Sequence, residues 1–138
     1  MSNYIRHILG YTGEKVAAEY LIKNQYQIVE RNFRCRQGEI DIIAYDRKSK
    51  EYVFIEVKTR TNFEYGKPVD SVNKMKQKHI VSATKYYLYL HNVKNMYIRF
   101  DIIEIYKKDK YIINHIKNVE INQYHKYWKH NFKCSYVI

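Results

Sequence analysis

Apolar residues recur along this chain with two different periods, and these periods predict its secondary structure. Helical spacing predicts one helix over residues 12–24, with Ala17 and Leu21 on its buried side, and a second helix from Pro68 to Leu90. Five segments are rich in strand-forming residues: residues 27–34, 39–45, 52–59, 97–106 and 111–116. The predicted order is α-β-β-β-α-β-β. Because a strand, a long helix and a strand in succession favour a parallel pair, we predict an α/β domain with a mixed sheet flanked by helices.

The second predicted helix also has a predicted orientation. Its buried side is expected to carry the apolar residues at helical spacing, namely Val69, Val72, Met75, Ile80, Ala83, Tyr87 and Leu90. The opposite side is expected to carry Lys74, Lys78 and Lys85.

The second and third predicted strands are joined by the polar segment 46–51, which predicts an antiparallel hairpin. If that loop is symmetric, residues equally distant from its centre face each other across the pair. The apolar pairs are then expected to share one face that the core buries: Tyr45–Tyr52, Ile42–Ile55 and Ile40–Val57.

The same register places Asp41 across from Glu56 on the opposite face, with Lys58 two residues beyond. Opposed carboxylates repel each other, whereas a divalent cation between them would bind both. Asp41, Glu56 and the carbonyl of Val57 are therefore candidate ligands for Mg²⁺ or Mn²⁺, with Lys58 near a scissile phosphate. This arrangement predicts phosphodiester hydrolysis. The alternative is an ordinary hairpin whose solvated face happens to carry charges.

Composition and charge restrict the class of protein. The 138 residues are 46% hydrophobic, enough for a single domain with one core, and no apolar run is long enough to span a membrane. The formal charge of +11 favours a nucleic-acid partner. An AT-rich genome, which over-encodes Lys, Asn, Ile and Tyr, would also produce a basic protein. Cys35 and Cys134 form no C-x-x-C pair, so a reduced, cytoplasmic setting is expected.

Several blocks in a fixed order resemble the YraN-like family of uncharacterised proteins. They are Gly13-Glu14, RNFR at 31–34, GEIDIIA at 38–44, FIEVKTR at 54–60, the segment 63–68 and RFDI at 99–102. That family is similar to Holliday-junction resolvases and restriction endonucleases. The resemblance implies a restriction-endonuclease-like α-β-β-β-α-β core, here with an extra strand, and a D…(D/E)-x-K site on Asp41, Glu56 and Lys58. Ile40 stands where the wider superfamily often has Pro, and residues 120–138 lie outside the recognised blocks.

Four further residues are interpreted individually. Glu14 is expected to add a third carboxylate to the catalytic site; the alternative is a carboxylate that the helix dipole stabilises. Glu39 is expected beside Asp41, where it would orient Lys58. Gln77 is a minor site candidate whose plainer interpretation is an exposed side chain. Asp101 is expected to be structural and to pair with an arginine near the end of the sheet.

Basic residues around the hairpin and the second helix are candidates for contacting a nucleic-acid backbone, although a solvated face would carry the same residues. They are Arg34, Arg36, Arg60, Lys74 and Lys78. The sequence therefore predicts a domain with its core at about residues 12–118 and an aromatic tail at 119–138, acting as a Mg²⁺- or Mn²⁺-dependent endonuclease on branched or flap-like DNA. The alternative function is a catalytically silent module that binds nucleic acid or a partner protein. Cutting at a junction would suit a symmetric homodimer.

Overall fold

The structure, a computed structural model, describes residues 3–60, 74–107, 110–119 and 133–134, with side chains described over 12–60, 75–107 and 110–119. Its elements are α1 (Asn3–Lys23), β1 (Tyr26–Cys35), β2 (Gly38–Asp46), β3 (Glu51–Arg60), α2 (Lys74–Leu90), β4 (Met96–Lys107), β5 (Tyr111–Ile116) and a two-residue β6 (Lys133–Cys134). The first seven elements follow the predicted order. The helix α1 begins nine residues earlier than the predicted start at residue 12.

The strands form one mixed sheet in the order β1-β2-β3-β4-β5, with β6 paired to β4. Among the strands of the described residues, β3 and β4 form the parallel pair, and they lie on either side of α2 along the chain. The other pairs are antiparallel. The predicted α/β class, the mixed sheet and the parallel pair are confirmed. The elements also follow one another along the chain in the α-β-β-β-α-β order that the resemblance to restriction endonucleases implies.

Helices cover both faces of the sheet. On one face, α1 buries Ala17 and Leu21 against Ile42, Val53 and Ile55. On the other face, α2 packs against the opposite side of the same strands. This second cluster includes Ile43, Phe54, Ile80, Val81, Tyr87 and Leu88. The central strands are therefore buried on both sides, as expected where a parallel pair carries helices on its faces.

This two-sided burial corrects the predicted hairpin faces. Ile42 and Ile55 are paired and lie on the α1 side, as alternation requires. Tyr45 and Tyr52 are also paired, but Tyr52 packs with the α2 cluster, so the expectation that these two pairs share one face is wrong. Since successive strand residues point to opposite faces, the tyrosine pair lies on the same side as Glu56.

The orientation of α2 also differs from the prediction. Met75 and Leu90 are 63% and 53% exposed, so both were wrongly placed on the buried side. Gln77 is buried at 7% exposure, which contradicts its interpretation as an exposed residue. The expected burial of Ile80, Ala83 and Tyr87 is confirmed, Lys78 and Lys85 are exposed as expected, and Val69 and Val72 lie outside the described residues.

A buried polar network centred on Arg99 lies at the end of the sheet near the hairpin loop. Arg99 donates to Asp101 from both Nε and Nη2 at 2.9 Å, to Asp46 from Nη1 at 3.1 Å, and to the hydroxyl of Tyr26 from Nη2 at 2.8 Å. Asp101 also contacts His115 Nε2 at 2.7 Å. The predicted pairing of Asp101 with an arginine is confirmed. No helix in the described part of the chain is long and apolar enough to cross a membrane.

Candidate active site

The candidate site lies where the pairing of β2 and β3 stops. Paired residues run from Asp46–Glu51 to Ile42–Ile55. On its other side, β2 pairs with β1 through Arg31–Ile42 and Phe33–Ile40, so Asn32 lies across from Asp41 between those pairs. Asn32 has a left-handed backbone, with φ of 54°, a conformation that asparagine tolerates better than most residues.

Strand alternation is interrupted at Asp41. Ile40 and Ile42 would share a face in a regular strand, yet Ile40 packs in the α2 cluster and Ile42 in the α1 cluster. The interruption lies opposite the left-handed Asn32. Asp41 Oδ2 accepts a hydrogen bond from the backbone amide of Val57 at 2.8 Å. Because strand amides lie in the plane of the sheet, the Asp41 carboxylate lies between the strands, beside Glu56.

The environment of Asp41 opposes its ionisation. Burial, the negative charges of Glu56 and Glu14, and a hydrogen bond with the Glu56 carboxyl group outweigh the Val57 hydrogen bond and raise the pKa of Asp41 to about 7. The charges of Glu56 and Glu14 therefore both act on Asp41, and the sequence predicted all three residues for the site. A neighbouring cation would favour the ionised form.

Glu56 is held by two lysines. Its Oε1 lies 3.2 Å from Lys58 Nζ and is also in contact with Lys76 Nζ. Burial lowers the pKa of Lys58, and the adjacent Lys76 ammonium lowers it further. Burial would also lower the pKa of Lys76, but the contact with Glu56 outweighs burial and raises it. Lys58 is thus the lysine of this pair that loses its proton more easily.

Lys76 is a site residue that the sequence prediction missed. It belongs to α2 and occupies the same helical side as Ile80, Ala83 and Tyr87, at spacings of four, seven and eleven residues. A lysine in line with a buried apolar stripe was the signal that could have identified it. The misplaced Met75 concealed that signal, because it rotated the predicted stripe away from Lys76.

Glu14 is positioned by a close approach of α1 to β3. Gly13 is buried, and a Cβ atom added to it would overlap with the Oγ1 hydroxyl of Thr59. Only a residue without a side chain lets the helix lie this close to the strand. The next residue, Glu14, is half-buried and near enough to Asp41 for its charge to act on it.

The remaining predicted residues lie around the site with different partners. Arg34 is exposed, and its Nε lies 3.6 Å from Glu39 Oε2. The expectation that Glu39 orients Lys58 is wrong, since Lys58 is paired with Glu56. Arg60 is largely buried and pairs with Glu104 at 3.0 Å. Arg36 and Lys78 are exposed, and the side chain of Lys74 lies outside the described residues.

Together these residues form a compact set of acids and bases at one end of the β2–β3 pairing. Among the described side chains, no three His, Cys, Asp or Glu residues are close enough to form a metal site by themselves. The set instead combines the carboxylates of Asp41 and Glu56 with backbone atoms of Val57. Carboxylate and carbonyl oxygens are the ligands that hard cations such as Mg²⁺ prefer. The lysines add positive charge of the kind that binds phosphate.

Comparison with known proteins identifies relatives across most of the chain. The profile of the family described as "Uncharacterised protein family UPF0102" matches residues 13–105. A UPF0102 protein of Clostridioides difficile strain 630 is 46% identical over 106 residues, covering 77% of this chain and 90% of the relative. A UPF0102 protein of Clostridium perfringens strain 13 is 44% identical over 121 residues, covering 86% of this chain and 97% of the relative.

Among solved structures, the crystal structure of SSO0001 matches with a TM-score of 0.40 and 16% sequence identity. That match covers 88% of this chain and 57% of the other. The UPF0102 match includes β1 to β3, α2 and most of β4, and it therefore includes every residue of the candidate site described above.

Proposed function

The chain belongs to the uncharacterised protein family UPF0102, the YraN-like family, and we propose that it is a Mg²⁺- or Mn²⁺-dependent endonuclease that hydrolyses phosphodiester bonds in DNA. The observation that carries this proposal is the Asp41 carboxylate held by the Val57 amide beside Glu56, where burial and the charges of Glu56 and Glu14 raise its pKa to about 7. A protein gains nothing in stability from two neighbouring carboxylates in a half-buried position, whereas a cation-binding site requires them.

The residues present fit a hard divalent cation. Asp41 and Glu56 supply two carboxylates, and the N–H of Val57 points at Asp41. In a strand, the N–H and C=O of one residue point to the same side, so the carbonyl of Val57 also faces the Asp41 side and would be a third ligand. When bound, the cation would supply the positive charge that activates water and neutralises a phosphate oxygen.

The other residues would bind and orient the substrate. Lys58, paired with Glu56, would lie against the phosphate and stabilise the negative charge that develops on it. Glu14 would add negative charge on the α1 side of the site. Arg34, Arg36 and Lys78 are exposed and would hold the DNA backbone without selecting a sequence, with Lys74 as a further candidate. Arg60 would also contact the DNA backbone, from a position fixed by its ion pair with Glu104.

Calorimetric titration of Mn²⁺ into the wild type, Asp41→Ala and Glu19→Ala, with and without junction DNA, tests the proposal. Asp41→Ala removes a proposed ligand, whereas Glu19→Ala removes an exposed carboxylate of α1 that belongs to no proposed site. We expect Mn²⁺ binding and Mn²⁺-dependent cleavage of branched DNA to be lost in Asp41→Ala and kept in Glu19→Ala, with circular dichroism showing both variants folded. Equal Mn²⁺ binding and cleavage by all three proteins would exclude the assignment.

One observation favours the alternative of a non-catalytic module. The Glu56 carboxylate already has two lysine partners, Lys58 and Lys76, and is therefore neutralised without a metal ion. If no cation displaces them, the site is a basic surface that binds nucleic acid or a partner protein. In that case Lys58→Ala would weaken DNA binding, Asp41→Ala would leave it unchanged or stronger, and Mn²⁺ would produce no heat.

The proposal extends to a symmetric dimer. Cleavage of paired strands at a junction suits two active sites related by a two-fold axis, which a symmetric dimer would supply. Light scattering of the wild type with junction DNA should then give the mass of two chains per junction. One chain per junction at saturating protein would contradict the dimer and leave the nuclease assignment standing.

A further inference from the structure

A cleft adjoins the candidate site and shares one residue with it. The cleft has a volume of about 550 Å³ and lies between the β1–β2 turn and the first turns of α2. Its walls include Arg34, Glu39, Met75, Lys76, His79 and Ile80. Lys76 links the cleft to the site, because its ammonium group contacts Glu56. A molecule in this cleft would therefore lie next to the atoms that we propose to be catalytic.

The polar part of the cleft suits an anion. Arg34 and Lys76 carry positive charge, and His79 adds an imidazole ring. The carboxylate of Glu39 is paired with Arg34 at 3.6 Å, and both side chains are mostly exposed. The lining thus has a net positive charge at neutral pH, which favours an anionic group such as a phosphate over a cation.

The apolar part of the cleft suits a flat ring. Met75 is 63% exposed although it is one of the large apolar residues of α2, and the buried Ile80 also lines the cleft. A thioether is polarisable and makes favourable contacts with aromatic rings. A phosphate alone would have no use for this surface, whereas a nucleotide has a phosphate and a base. Inside a duplex both faces of each base are covered by stacking, whereas an unpaired base can offer a free face to Met75.

We propose that this cleft binds an unpaired nucleotide, with its phosphate toward Lys76 and Arg34 and its base against Met75. The volume lies in the range of small-molecule sites, which is sufficient for a nucleotide and too small for a duplex. The inference rests on the proposed function and narrows its substrate to DNA with a single-stranded segment next to the cleaved bond. Met75 is then the residue that selects this class.

Fluorescence anisotropy in EDTA tests the cleft without requiring catalysis. The probes are a fluorescein-labelled oligothymidylate and a blunt duplex of the same length. The variant is Met75→Ala, and its matched control is Leu90→Ala, which removes an exposed apolar residue from the other end of the same helix without changing charge. We expect Met75→Ala to weaken binding of the single strand by about fivefold or more and to leave duplex binding within about twofold. Leu90→Ala should change neither.

Two results separate this proposal from the general one. If the wild type binds both probes and Met75→Ala behaves like Leu90→Ala, the cleft proposal is overturned while the nuclease assignment stands. If the wild type binds neither probe, the assignment to DNA fails as well.

Cys35, which also lines the cleft, provides a second readout in a Cys134→Ser background. The single strand should slow its modification by a thiol reagent more than the duplex does, and equal protection by both would contradict the proposal.

Discussion

The amide of Val57 on β3 donates a hydrogen bond to the carboxylate of Asp41 on β2, with 2.8 Å between the nitrogen and Oδ2. This contact lies just beyond the last paired residues of the two strands, Ile42 and Ile55. It holds the Asp41 side chain between the strands and next to Glu56. The two carboxylates thus come together because the Asp41 side chain, in place of a backbone carbonyl of β2, accepts the hydrogen bond from the Val57 amide.

The raised pKa of Asp41 predicts an unusual dependence of stability on pH. Burial, with the charges of Glu56 and Glu14, raises this pKa to about 7, whereas in the unfolded chain it lies near the ordinary value of about 4. Between about pH 4 and pH 7 the folded protein therefore holds more protons than the unfolded chain at this residue, so this residue lowers the free energy of unfolding as pH rises through that window. Asp41→Asn can still accept from Val57 and carries no charge.

We expect Asp41→Asn to be more stable than the wild type at pH 8, with the difference disappearing at about pH 4. Thermal unfolding in EDTA, followed by circular dichroism at several pH values, measures this. Glu39→Gln is the control, because that carboxylate is exposed and pairs only with an exposed arginine. Parallel pH profiles for the wild type and Asp41→Asn would show that Asp41 titrates normally.

Lys76 is predicted to compete with a metal ion for Glu56. Its ammonium group contacts the same Oε1 atom that Lys58 approaches, and a cation bound by this carboxylate would be repelled by both. Lys76→Ala should therefore bind Mn²⁺ severalfold more tightly than the wild type in calorimetry. Lys78→Ala is the matched control, since Lys78 is an exposed neighbour on the same helix. Weaker Mn²⁺ binding by Lys76→Ala would mean that Lys76 supports the site instead of competing for it.

Gly13 is predicted to be intolerant of any side chain. In an exposed helix interior, Gly→Ala stabilises a protein by roughly 1 kcal/mol. Here the added Cβ would overlap with the hydroxyl of Thr59, so Gly13→Ala should instead lower the free energy of unfolding by about 1–3 kcal/mol. Thr59→Ala removes the overlapping atom and should restore most of the loss in the double variant. Urea unfolding measures both effects, and a stabilising Gly13→Ala would contradict the close approach of α1 to β3.

Arg99 is predicted to be essential for stability and irrelevant to chemistry. Its guanidinium group is buried and neutralises Asp46 and Asp101, and removing it would leave two buried carboxylates without their cation. Arg99→Met should cost about 3–5 kcal/mol in the free energy of unfolding. The exposed Arg47 gives the control, since Arg47→Met should change it by less than about 0.5 kcal/mol.

A milder change keeps this prediction testable if Arg99→Met does not fold. Tyr26→Phe removes only the hydroxyl that accepts from Arg99 at 2.8 Å. It should cost about 1 kcal/mol in urea unfolding and leave Mn²⁺ binding unchanged. A loss of Mn²⁺ binding in folded Tyr26→Phe would connect the network to the site.

Most elements and the hairpin register could be predicted from the sequence, because both depend on residues close together in the chain. The pairs Ile42–Ile55 and Tyr45–Tyr52 follow from a symmetric loop and are confirmed. Their faces were not predictable in the same way. A core on one side of the hairpin would have placed the apolar pairs together, whereas helices on both sides bury residues of either parity.

The same distinction applies to the site. The sequence by itself determined the strand order along the chain and the register of β2 against β3 as far as Ile42–Ile55, which brings Asp41 and Glu56 to the same end of the pairing. Only the tertiary structure decided that Lys76 reaches Glu56, that Gly13 sets the position of Glu14, and that Asn32 faces Asp41 with a left-handed backbone. These contacts depend on how the helices rotate and pack against the sheet. That packing is set jointly by side chains that are distant in sequence, so no local pattern encodes it.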